Sequence, residues 1–233
     1  VQTCALPIFA LRLAKEGASL MLVDVNPEGI AAVAAEVEAL GRKAATFVAN
    51  IAERDQVYAA IDRAEKELGG FDIIVNNAGI AQVQALADVT PEEVDRIMRI
   101  NVQGTLWGIQ AAAKKFIDRK QNGKIINACS IAGHDGFALL GIYSATKFAV
   151  RALSEGLRQE AGKTIRTTLI SPGAVESELQ FGSSDEESKK FLHEFYKQAI
   201  PADAIARAVL FAIEQPGDVD INEIVVRPTQ EEF

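Results

Sequence analysis

Tyr143 and Lys147 are the residues whose types and spacing most clearly indicate chemistry. On a helix, side chains four positions apart lie on one face, about 5–6 Å from each other, so the phenol and the ammonium would point the same way. A nearby positive charge lowers the pKa of a phenol, which makes a tyrosine usable as an acid or base near neutral pH. Ser130 lies upstream at the end of an apolar run. The three residues predict a catalytic site, although a Tyr and a Lys on an exposed helix would show the same spacing.

The elements that must position these residues follow from an alternation of strand-like and helix-like patterns along the chain. Asn26 and Thr90 are predicted helix caps, and the helix that begins after Thr90 is expected to run to about Arg119 with Asn101 in its middle. Apolar runs predict strands at 18–24, 44–49, 71–75, 124–130, 165–171 and 221–226. The pattern predicts one α/β domain with three layers, in which helices cover both faces of a doubly wound parallel sheet.

Composition and net charge argue against several classes of function for this chain. The chain has 233 residues, 48% of them hydrophobic, which is enough for one large core. The net charge of −8 and the lack of a basic block argue against a nucleic-acid or anionic-membrane partner. No apolar stretch is long enough to span a bilayer, and the first residues lack the basic start of a secretory signal. Two cysteines and two histidines form no zinc pattern, so we expect a cytoplasmic protein without a metal site.

Three further motifs occur in the chain together with Ser130 and the Tyr–Lys pair. Residues 76–79 (Asn-Asn-Ala-Gly) and 172–177 (Pro-Gly-Ala-Val-Glu-Ser) each follow a predicted strand, and residues 101–104 contain Asn-Val-x-Gly. In this order and spacing, the motifs resemble the short-chain dehydrogenase/reductase family over roughly residues 10 to 227. The resemblance implies a Rossmann-like fold and an NAD(P)-dependent oxidoreductase. Such an enzyme transfers a hydride between the nicotinamide and a secondary alcohol or ketone.

The resemblance also assigns catalytic roles. Tyr143 is the general acid/base, Ser130 holds the substrate oxygen, and Lys147 lowers the pKa of Tyr143 and binds the nicotinamide ribose. Asn101 is expected to hold a water that relays protons to Lys147, although an Asn in the middle of a helix can also serve packing. Residues 131–142 should line the substrate pocket through Phe137, Leu139, Leu140 and Ile142, with His134 interpreted as an exposed loop residue that could alternatively donate to the substrate. This composition favours an apolar substrate.

Cofactor contacts follow from the same resemblance. Asp24 ends a predicted strand, where its carboxylate would accept both hydroxyls of the adenosine ribose and repel a 2′-phosphate, so NAD is expected in preference to NADP. A side chain on Gly79 would block close approach of the backbone to the cofactor. Asn50 stands where the family usually has Asp, and Ser177 where it often has Thr. Beside Tyr143 and Lys147, the expected cofactor-binding residues are Asp24, Asn50, Ile51, Asn77, Ala78, Gly79, Pro172, Gly173, Val175 and Ser177.

The first residues depart from the family pattern. The family begins with a hydrophobic strand and a glycine-rich turn whose backbone N–H groups bind the pyrophosphate. Residues 1–8 contain no glycine and no adequate strand, whereas residues 10–18 match the end of the family's first helix. We therefore divide the chain into a non-family segment, 1–9, and a family domain, 10–233, and expect the first, central strand to be absent. A truncated or chimeric reading frame and a natural variant are the two explanations.

Alternative functions stay open at this point. A non-catalytic dinucleotide-sensing or scaffold protein would fit the missing glycine turn but not the intact catalytic residues. Epimerase and dehydratase relatives share the Tyr–Lys spacing but usually carry an added substrate domain. Residues 182–190 could form a substrate lid or be disordered. The predicted helices at 91–119 and 143–161 pack subunits together in many relatives, so a homodimer or homotetramer is expected.

Overall fold

The computed structural model describes residues 5–177 and 186–230. The helices are α1 (Ala5–Lys15), α2 (Pro27–Ala39), α3 (Arg54–Leu68), α4 (Pro91–Ile97), α5 (Thr105–Arg119), α6 (Gly141–Glu160), α7 (Glu186–Tyr196) and α8 (Asp203–Glu214). The strands are β1 (Leu20–Asp24), β2 (Ala44–Val48), β3 (Ile73–Asn76), β4 (Gly123–Ala128), β5 (Ile165–Pro172) and β6 (Glu223–Val226). Each strand overlaps one of the six predicted from apolar runs.

The strands form two parallel sheets. In the smaller sheet β1 pairs with β2, from Leu20 opposite Ala44 to Asp24 opposite Val48. The larger sheet has the order β3-β4-β5-β6. Within residues 5–177 and 186–230, no strand lies between β1 and β3, where the family's first strand is expected. As a result β1 and β3 each have one edge without a paired strand.

Helices cover both faces of the sheets, as the alternating pattern predicts. Successive residues of a strand point to opposite faces, and β4 shows this clearly. Ile125 packs with Phe116 in the layer formed by α3, α5 and α6. Ile126 packs with Phe9 and Ile205 in the layer formed by α1 and α8. Helix α2 completes the second layer over β1. Burial of each such side chain stabilises the fold by about 1.5–3 kcal/mol.

Local signals explain where the helices begin. The Asn26 side chain accepts hydrogen bonds from the backbone N–H groups of Glu28 and Gly29, so it caps α2 as predicted. Thr90 and Glu93 form the predicted capping box of α4. The helix predicted from 91 to 119 is interrupted by a π-helical segment, Met98–Gly104, between α4 and α5. Such segments often occur at functional sites.

The predicted boundary between residues 9 and 10 lies inside α1. This helix begins at Ala5 and continues without a break to Lys15. Phe9 is buried against the second layer, so residues assigned to a non-family segment contribute to the core. The division of the chain at this position therefore has no counterpart in the helical structure.

The described residues contain neither a membrane-spanning helix nor a cluster of metal-binding side chains. None of the helices that the structure describes is long and apolar enough to cross a bilayer. Across 5–177 and 186–230, no three His, Cys, Asp or Glu side chains cluster in a way that could hold a metal ion. Cys129 is a buried free thiol, whereas Cys4 lies outside the described residues.

Candidate functional site

An apolar cavity of about 160 Å³ opens at the carboxyl ends of β3, β4 and β5. Ligands of open parallel sheets bind at this end, where the strands meet the loops that follow them. The structure brings most of the predicted site residues together here. Those that line the cavity are Asn77, Gly79, Ser130, Tyr143, Lys147, Pro172, Gly173, Val175 and Ser177.

The predicted catalytic residues are held by the start of α6 and the loop after β4. Tyr143 lies in the first turn of α6 and Lys147 one turn later, with the Lys147 Nζ 5.5 Å from the centroid of the Tyr143 ring. Lys147 Nζ donates to the Ala128 carbonyl oxygen at 3.0 Å. The Ser130 hydroxyl donates to the Pro172 carbonyl oxygen at 3.5 Å and accepts from the Ala132 N–H at 3.1 Å. The side chains of Ser130 and Tyr143 both line the cavity.

The titration of Tyr143 differs from the expectation. Burial raises the pKa of Tyr143 to about 12, while the nearby Ser130 side chain acts in the opposite direction. Burial also lowers the pKa of Lys147. The predicted lowering of the Tyr143 pKa by Lys147 is therefore wrong for this arrangement, because loss of hydration dominates. The ammonium also lies over the ring and binds the Ala128 carbonyl oxygen.

Asn101 is buried in the π-helical segment and does not line the cavity. Its Oδ1 accepts from the Ile80 N–H at 2.8 Å, and its Nδ2 donates to the Ile80 carbonyl oxygen at 2.8 Å and to Thr146 Oγ1 at 3.1 Å. The side chain therefore fixes the loop after β3 to α6. This is the packing role that the sequence left open, and a water relay to Lys147 stays a prediction.

Gly79 shows how tightly that loop is held. A Cβ atom at this position would lie 3.2 Å from Asn101 Oδ1 and 3.9 Å from Lys147 Nζ. The glycine thus allows the loop to lie against the catalytic helix and the buried amide. Ala78 neighbours it in the chain but does not line the cavity.

The residues expected to contact the adenosine half of the cofactor, Asp24, Asn50 and Ile51, do not line the cavity. Asp24 ends β1, and its Oδ1 accepts the Asn26 N–H at 3.0 Å. Asn50 follows β2, and the N–H of the preceding Ala49 donates to the Asp24 carbonyl oxygen at 3.1 Å. The structure therefore brings Asp24 and Asn50 together at one end of the smaller sheet. Ile51 packs against Gly104, where an added Cβ would lie 2.7 Å from its Cδ1.

Residues 131–142 were predicted to line the substrate pocket, and only some of the named side chains do so. Phe137 and Leu140 line the cavity, but Leu139 and Ile142 do not. Leu139 has a φ of 63°, and its carbonyl oxygen accepts from the Gln84 N–H at 2.8 Å. This left-handed conformation is uncommon for leucine. The loop is therefore shaped by backbone contacts that the apolar pattern does not reveal.

His134 is not the exposed loop residue of the prediction. Its Nε2 lies 2.6 Å from Glu223 Oε1, and the same oxygen accepts from Ser171 Oγ at 2.6 Å. His134 does not line the cavity, so neither sequence interpretation holds. The contact ties the loop after Ser130 to β5 and β6.

Sequence reasoning missed Tyr196 and Phe9. Tyr196 is the last residue of α7, lines the cavity, and has its hydroxyl 3.2 Å from Ser177 Oγ. Burial raises the pKa of Tyr196 to about 12. The helical spacing of Leu192, Phe195 and Tyr196 after the proposed lid was the available signal. Of that lid, residues 182–185 lie outside the described residues, and 186–190 belong to α7.

The residues present fit a nicotinamide cofactor at both of its ends. At the adenosine end, the second carboxylate oxygen of Asp24 has no hydrogen-bond partner among the described residues. At the catalytic end, Lys147 uses one of its three N–H donors on Ala128 and keeps the others for a ligand. Gly79 keeps the loop beside them free of a side chain.

Known proteins share this sequence and fold. A family model described as short chain dehydrogenase matches residues 8–188. The (S)-acetoin-forming diacetyl reductase of Staphylococcus epidermidis is 39% identical over 182 residues, which cover 78% of this chain and 70% of that protein. The L-2,3-butanediol dehydrogenase of Corynebacterium glutamicum is 41% identical over 167 residues, covering 70% of this chain and 65% of that protein.

A solved structure agrees with these matches. A metagenomic short-chain oxidoreductase in complex with NADP has a TM-score of 0.77 and 27% identity, and the match covers 97% of this chain and 92% of that chain. The family match includes Ser130, Tyr143 and Lys147, which the structure places around one cavity. The chain therefore belongs to the short-chain dehydrogenase/reductase family of oxidoreductases.

Proposed function

We propose that the chain transfers a hydride between a nicotinamide cofactor and a secondary alcohol or ketone, with Tyr143 as the general acid/base. One observation carries the proposal: the Tyr143 and Ser130 side chains line the same apolar cavity, with the Lys147 ammonium one helical turn from Tyr143. An apolar cavity strengthens hydrogen bonds to a substrate oxygen, because water does not compete for them.

Ser130, Tyr143 and Lys147 have different roles in the proposed reaction. Ser130 donates to the substrate oxygen and stabilises the negative charge that develops there. Tyr143 gives a proton to that oxygen during ketone reduction and removes it during alcohol oxidation. Lys147 carries N–H donors that can bind the ribose, and its ammonium, over the Tyr143 ring at 5.5 Å from the centroid, is proposed to exchange protons with the phenol through water.

We propose NAD as the cofactor in preference to NADP. A bound nicotinamide would supply or accept the hydride. The support is Asp24, whose carboxylate ends β1 and would repel a 2′-phosphate. The residues proposed to hold the cofactor are Asp24, Asn50, Ile51, Asn77, Ala78, Gly79, Tyr143, Lys147, Pro172, Gly173, Val175 and Ser177.

The relatives and the cavity suggest the size of the substrate. Two relatives near 40% identity are named for diacetyl and for L-2,3-butanediol. The cavity of about 160 Å³ is lined mainly by apolar side chains. We therefore propose a short-chain ketone or alcohol as substrate, in agreement with the apolar character expected from residues 131–142.

Substitution of Tyr143 by Phe tests the proposed function. Tyr143→Phe keeps the ring and its packing but removes the transferable proton, so NADH-dependent reduction of diacetyl should fall below detection. NADH binding, measured by fluorescence titration, should stay within about twofold of wild type, because the ring is unchanged. The assignment fails if the variant turns over diacetyl at a rate near that of wild type.

A non-catalytic dinucleotide-sensing protein is the second candidate. It is favoured by the division of the sheet between β1 and β3, which lies beside the expected pyrophosphate site. Such a protein would bind NADH without oxidising it in the presence of any short-chain ketone. The cavity, which Ser130, Tyr143 and Lys147 line together, favours the enzyme.

We propose that the chain forms a homodimer or homotetramer in the cytoplasm and that neither nucleic acid nor a membrane is its partner. Exposed apolar side chains on the outer surfaces support self-association: Phe148 of α6, Phe211 of α8 and Val225 of β6 are each about half exposed. Light scattering of the purified chain measures the assembly directly.

A further inference from the structure

The turn that begins at Ser130 is a hydrogen-bonded unit with His134 at its other end. The residues between them form one 3-10 turn, in which Ser130 accepts from the Ala132 N–H through its hydroxyl at 3.1 Å and from the Gly133 N–H through its carbonyl oxygen at 2.9 Å. The His134 N–H donates to the Ile131 carbonyl oxygen at 2.9 Å. A displacement of His134 is therefore transmitted to Ser130.

The turn is packed against α6 on one side, but its hydroxyl is held weakly on the other. A Cβ atom at Gly133 would lie 2.6 Å from Cys129 Sγ and 3.1 Å from the Lys147 carbonyl oxygen, so the turn cannot move toward the helix. The Ser130 hydroxyl lies 3.5 Å from the Pro172 carbonyl oxygen. An ordinary O–H···O bond measures about 2.7–2.8 Å, so this contact alone does not fix the hydroxyl.

Glu223 on β6 is the residue to which the far end of the turn is bonded. His134 Nε2 lies 2.6 Å from Glu223 Oε1, and this oxygen also accepts from Ser171 Oγ at 2.6 Å. A carboxylate can only accept, so Nε2 of His134 carries the hydrogen of the bond. The second carboxylate oxygen lies 3.9 Å from Arg151 Nη2 on α6. Glu223 therefore contacts the Ser130 turn, β5 and the helix that carries the Tyr–Lys pair.

The surroundings of the His134–Glu223 bond make it suited to hold the turn. Each of the two side chains is only 22% exposed, so water competes less for the bond than at an exposed ion pair. The third member, Ser171, is fully buried in β5 and fixes the carboxylate from below. Neither His134 nor Glu223 lines the cavity. The pair therefore acts on the site from outside.

We propose that Glu223, through His134, positions the Ser130 hydroxyl for the reaction. This inference rests on the proposed function, in which Ser130 donates to the substrate oxygen, and adds two positioning residues that contact neither substrate nor cofactor. A donor stabilises the developing charge only at hydrogen-bond distance, and a misplacement of about 1 Å can lower the rate on the order of 100-fold.

His134→Leu tests the inference, because leucine fills much of the same space but has no N–H for Glu223. In NADH-dependent reduction of diacetyl, kcat and kcat/KM should fall together by about 10-fold, since a displaced Ser130 weakens binding of the transition state. His134→Gln carries an amide N–H that can reach the same carboxylate, so its kcat should return to within about twofold of wild type. The matched control is His193→Leu at an exposed position on α7, which should leave kcat unchanged. A loss through KM alone, or no recovery in His134→Gln, would overturn the inference.

A double-mutant cycle separates positioning of Ser130 from a general effect on the fold. In a Ser130→Ala background, assayed at high enzyme concentration, His134→Leu should cost less than about twofold in kcat, because the donor that it positions is absent. The same 10-fold loss in both backgrounds would show that His134 does not act through Ser130, and would overturn the inference.

Hydrogen exchange separates this inference from the proposed function. In His134→Leu, the amide hydrogens of Ala132 and Gly133 should exchange at least about 10-fold faster than in wild type, whereas those in the middle of α6 should keep their rates. If they do so in a protein that turns over no ketone, the turn is held as proposed and the proposed reaction fails. Unchanged exchange at both amides would overturn the inference. Should His134→Leu not fold, as judged by circular dichroism, Glu223→Gln replaces it with an expected loss of about 3-fold, because the bond then lacks its charge.

Discussion

At the scale of single residues, burial decides how the site titrates. Tyr143 and Tyr196 both have a pKa of about 12, because their phenolates would lose hydration in the apolar cavity. At neutral pH, Tyr143 is therefore a neutral phenol that can give its proton to a ketone oxygen. Alcohol oxidation needs the phenolate, which is scarce under the same conditions. The residue is thus better prepared for reduction than for oxidation.

This difference predicts opposite pH dependence for the two directions. Below a pKa of about 12, the phenolate fraction rises about tenfold per pH unit. At saturating NAD, kcat for oxidation of 2,3-butanediol should therefore rise steeply from about pH 7 to about pH 10, whereas kcat for diacetyl reduction should stay nearly flat. Cofactor affinity measured at each pH is the control. An oxidation profile that levels off near neutral pH would contradict the raised pKa.

Lys124 offers a prediction about stability. Its side chain is 1% exposed, its Nζ has no hydrogen-bond partner among the described residues, and Asp220 Oδ1 lies 3.9 Å away. Burial lowers the pKa of Lys124 from 10.5 to about 8, with Arg166 acting in the same direction. Lys124→Met should raise the free energy of unfolding at pH 7 by about 2 kcal/mol, because it removes a buried charge.

The sign of the pH dependence follows from the same shift. Between pH 8 and 10.5 the unfolded chain binds more protons at Lys124 than the folded chain does, so wild-type stability rises across that window. The advantage of Lys124→Met in urea denaturation should shrink over the same range. Lys66→Met, at an exposed position on α3, is the control and should change little. A destabilised Lys124→Met protein at pH 7 would contradict the prediction.

The catalytic residues could be predicted from the sequence, but their titration and their neighbours could not. Tyr143 and Lys147 are four residues apart on one helix, so local geometry fixes their relation. Burial raises the pKa of Tyr143, and the cavity that buries it is lined by side chains from distant parts of the chain, including Phe9 and Phe195. Tyr196 reaches the cavity through the packing of α7, and the helical spacing of Leu192, Phe195 and Tyr196 indicates a helix without showing where that helix packs.

At the scale of elements, hydrogen bonds hold the loop after β3 against the π-helical segment Met98–Gly104. The segment places Asn101 against both backbone groups of Ile80. The sequence predicted one helix through residues 91–119, because π-helical segments have no pattern distinct from that of an α-helix. It did predict Asn101 as a site residue and Gly79 as a position of close approach. The structure shows that a side chain at Gly79 would meet the Asn101 amide.

Asn101→Ala should therefore act first on stability. The substitution leaves the buried N–H and carbonyl oxygen of Ile80 and the Thr146 hydroxyl without three hydrogen bonds. We expect the free energy of unfolding in urea to fall by about 2–4 kcal/mol. Asn122→Ala, at an exposed position, is the control and should stay within about 0.5 kcal/mol of wild type. An Asn101→Ala protein as stable as wild type would reject the packing role.

At the scale of the whole molecule, the division of the sheet is the main departure from a regular open sheet. The sequence predicted the place of the division, because residues 1–8 lack a strand pattern and the family's first strand is central. It did not predict that α1 would begin at Ala5 and bury Phe9 in the core. Apolar packing of a helix requires no family motif. The unpaired edges of β1 and β3 are a recognised cause of aggregation.

An N-terminal extension tests the effect of the division. An apolar five-residue strand followed by a glycine-rich turn, placed before Ala5 at the start of α1, should pair with β1 and β3 and add backbone N–H groups for the pyrophosphate. We expect the extended protein to be more soluble and to bind NADH at least about tenfold more tightly, a gain of roughly 1.4 kcal/mol. An extension of equal length made of Gly and Ser is the control. Micromolar NADH affinity in the original chain would contradict this prediction.

The divided sheet also affects how the molecule comes apart. Among the described residues, β1 and β2 share no ladder hydrogen bond with β3–β6, and packing such as that of α1 against α2 and α8 joins the two groups of strands. In a continuous sheet, opening one strand disturbs its neighbours on both sides. Here the smaller ladder can open while the larger one stays intact, as an independent unit of unfolding. The half that carries Asp24 would then exchange its amide hydrogens before the half that carries Tyr143, and unfolding would proceed in two steps.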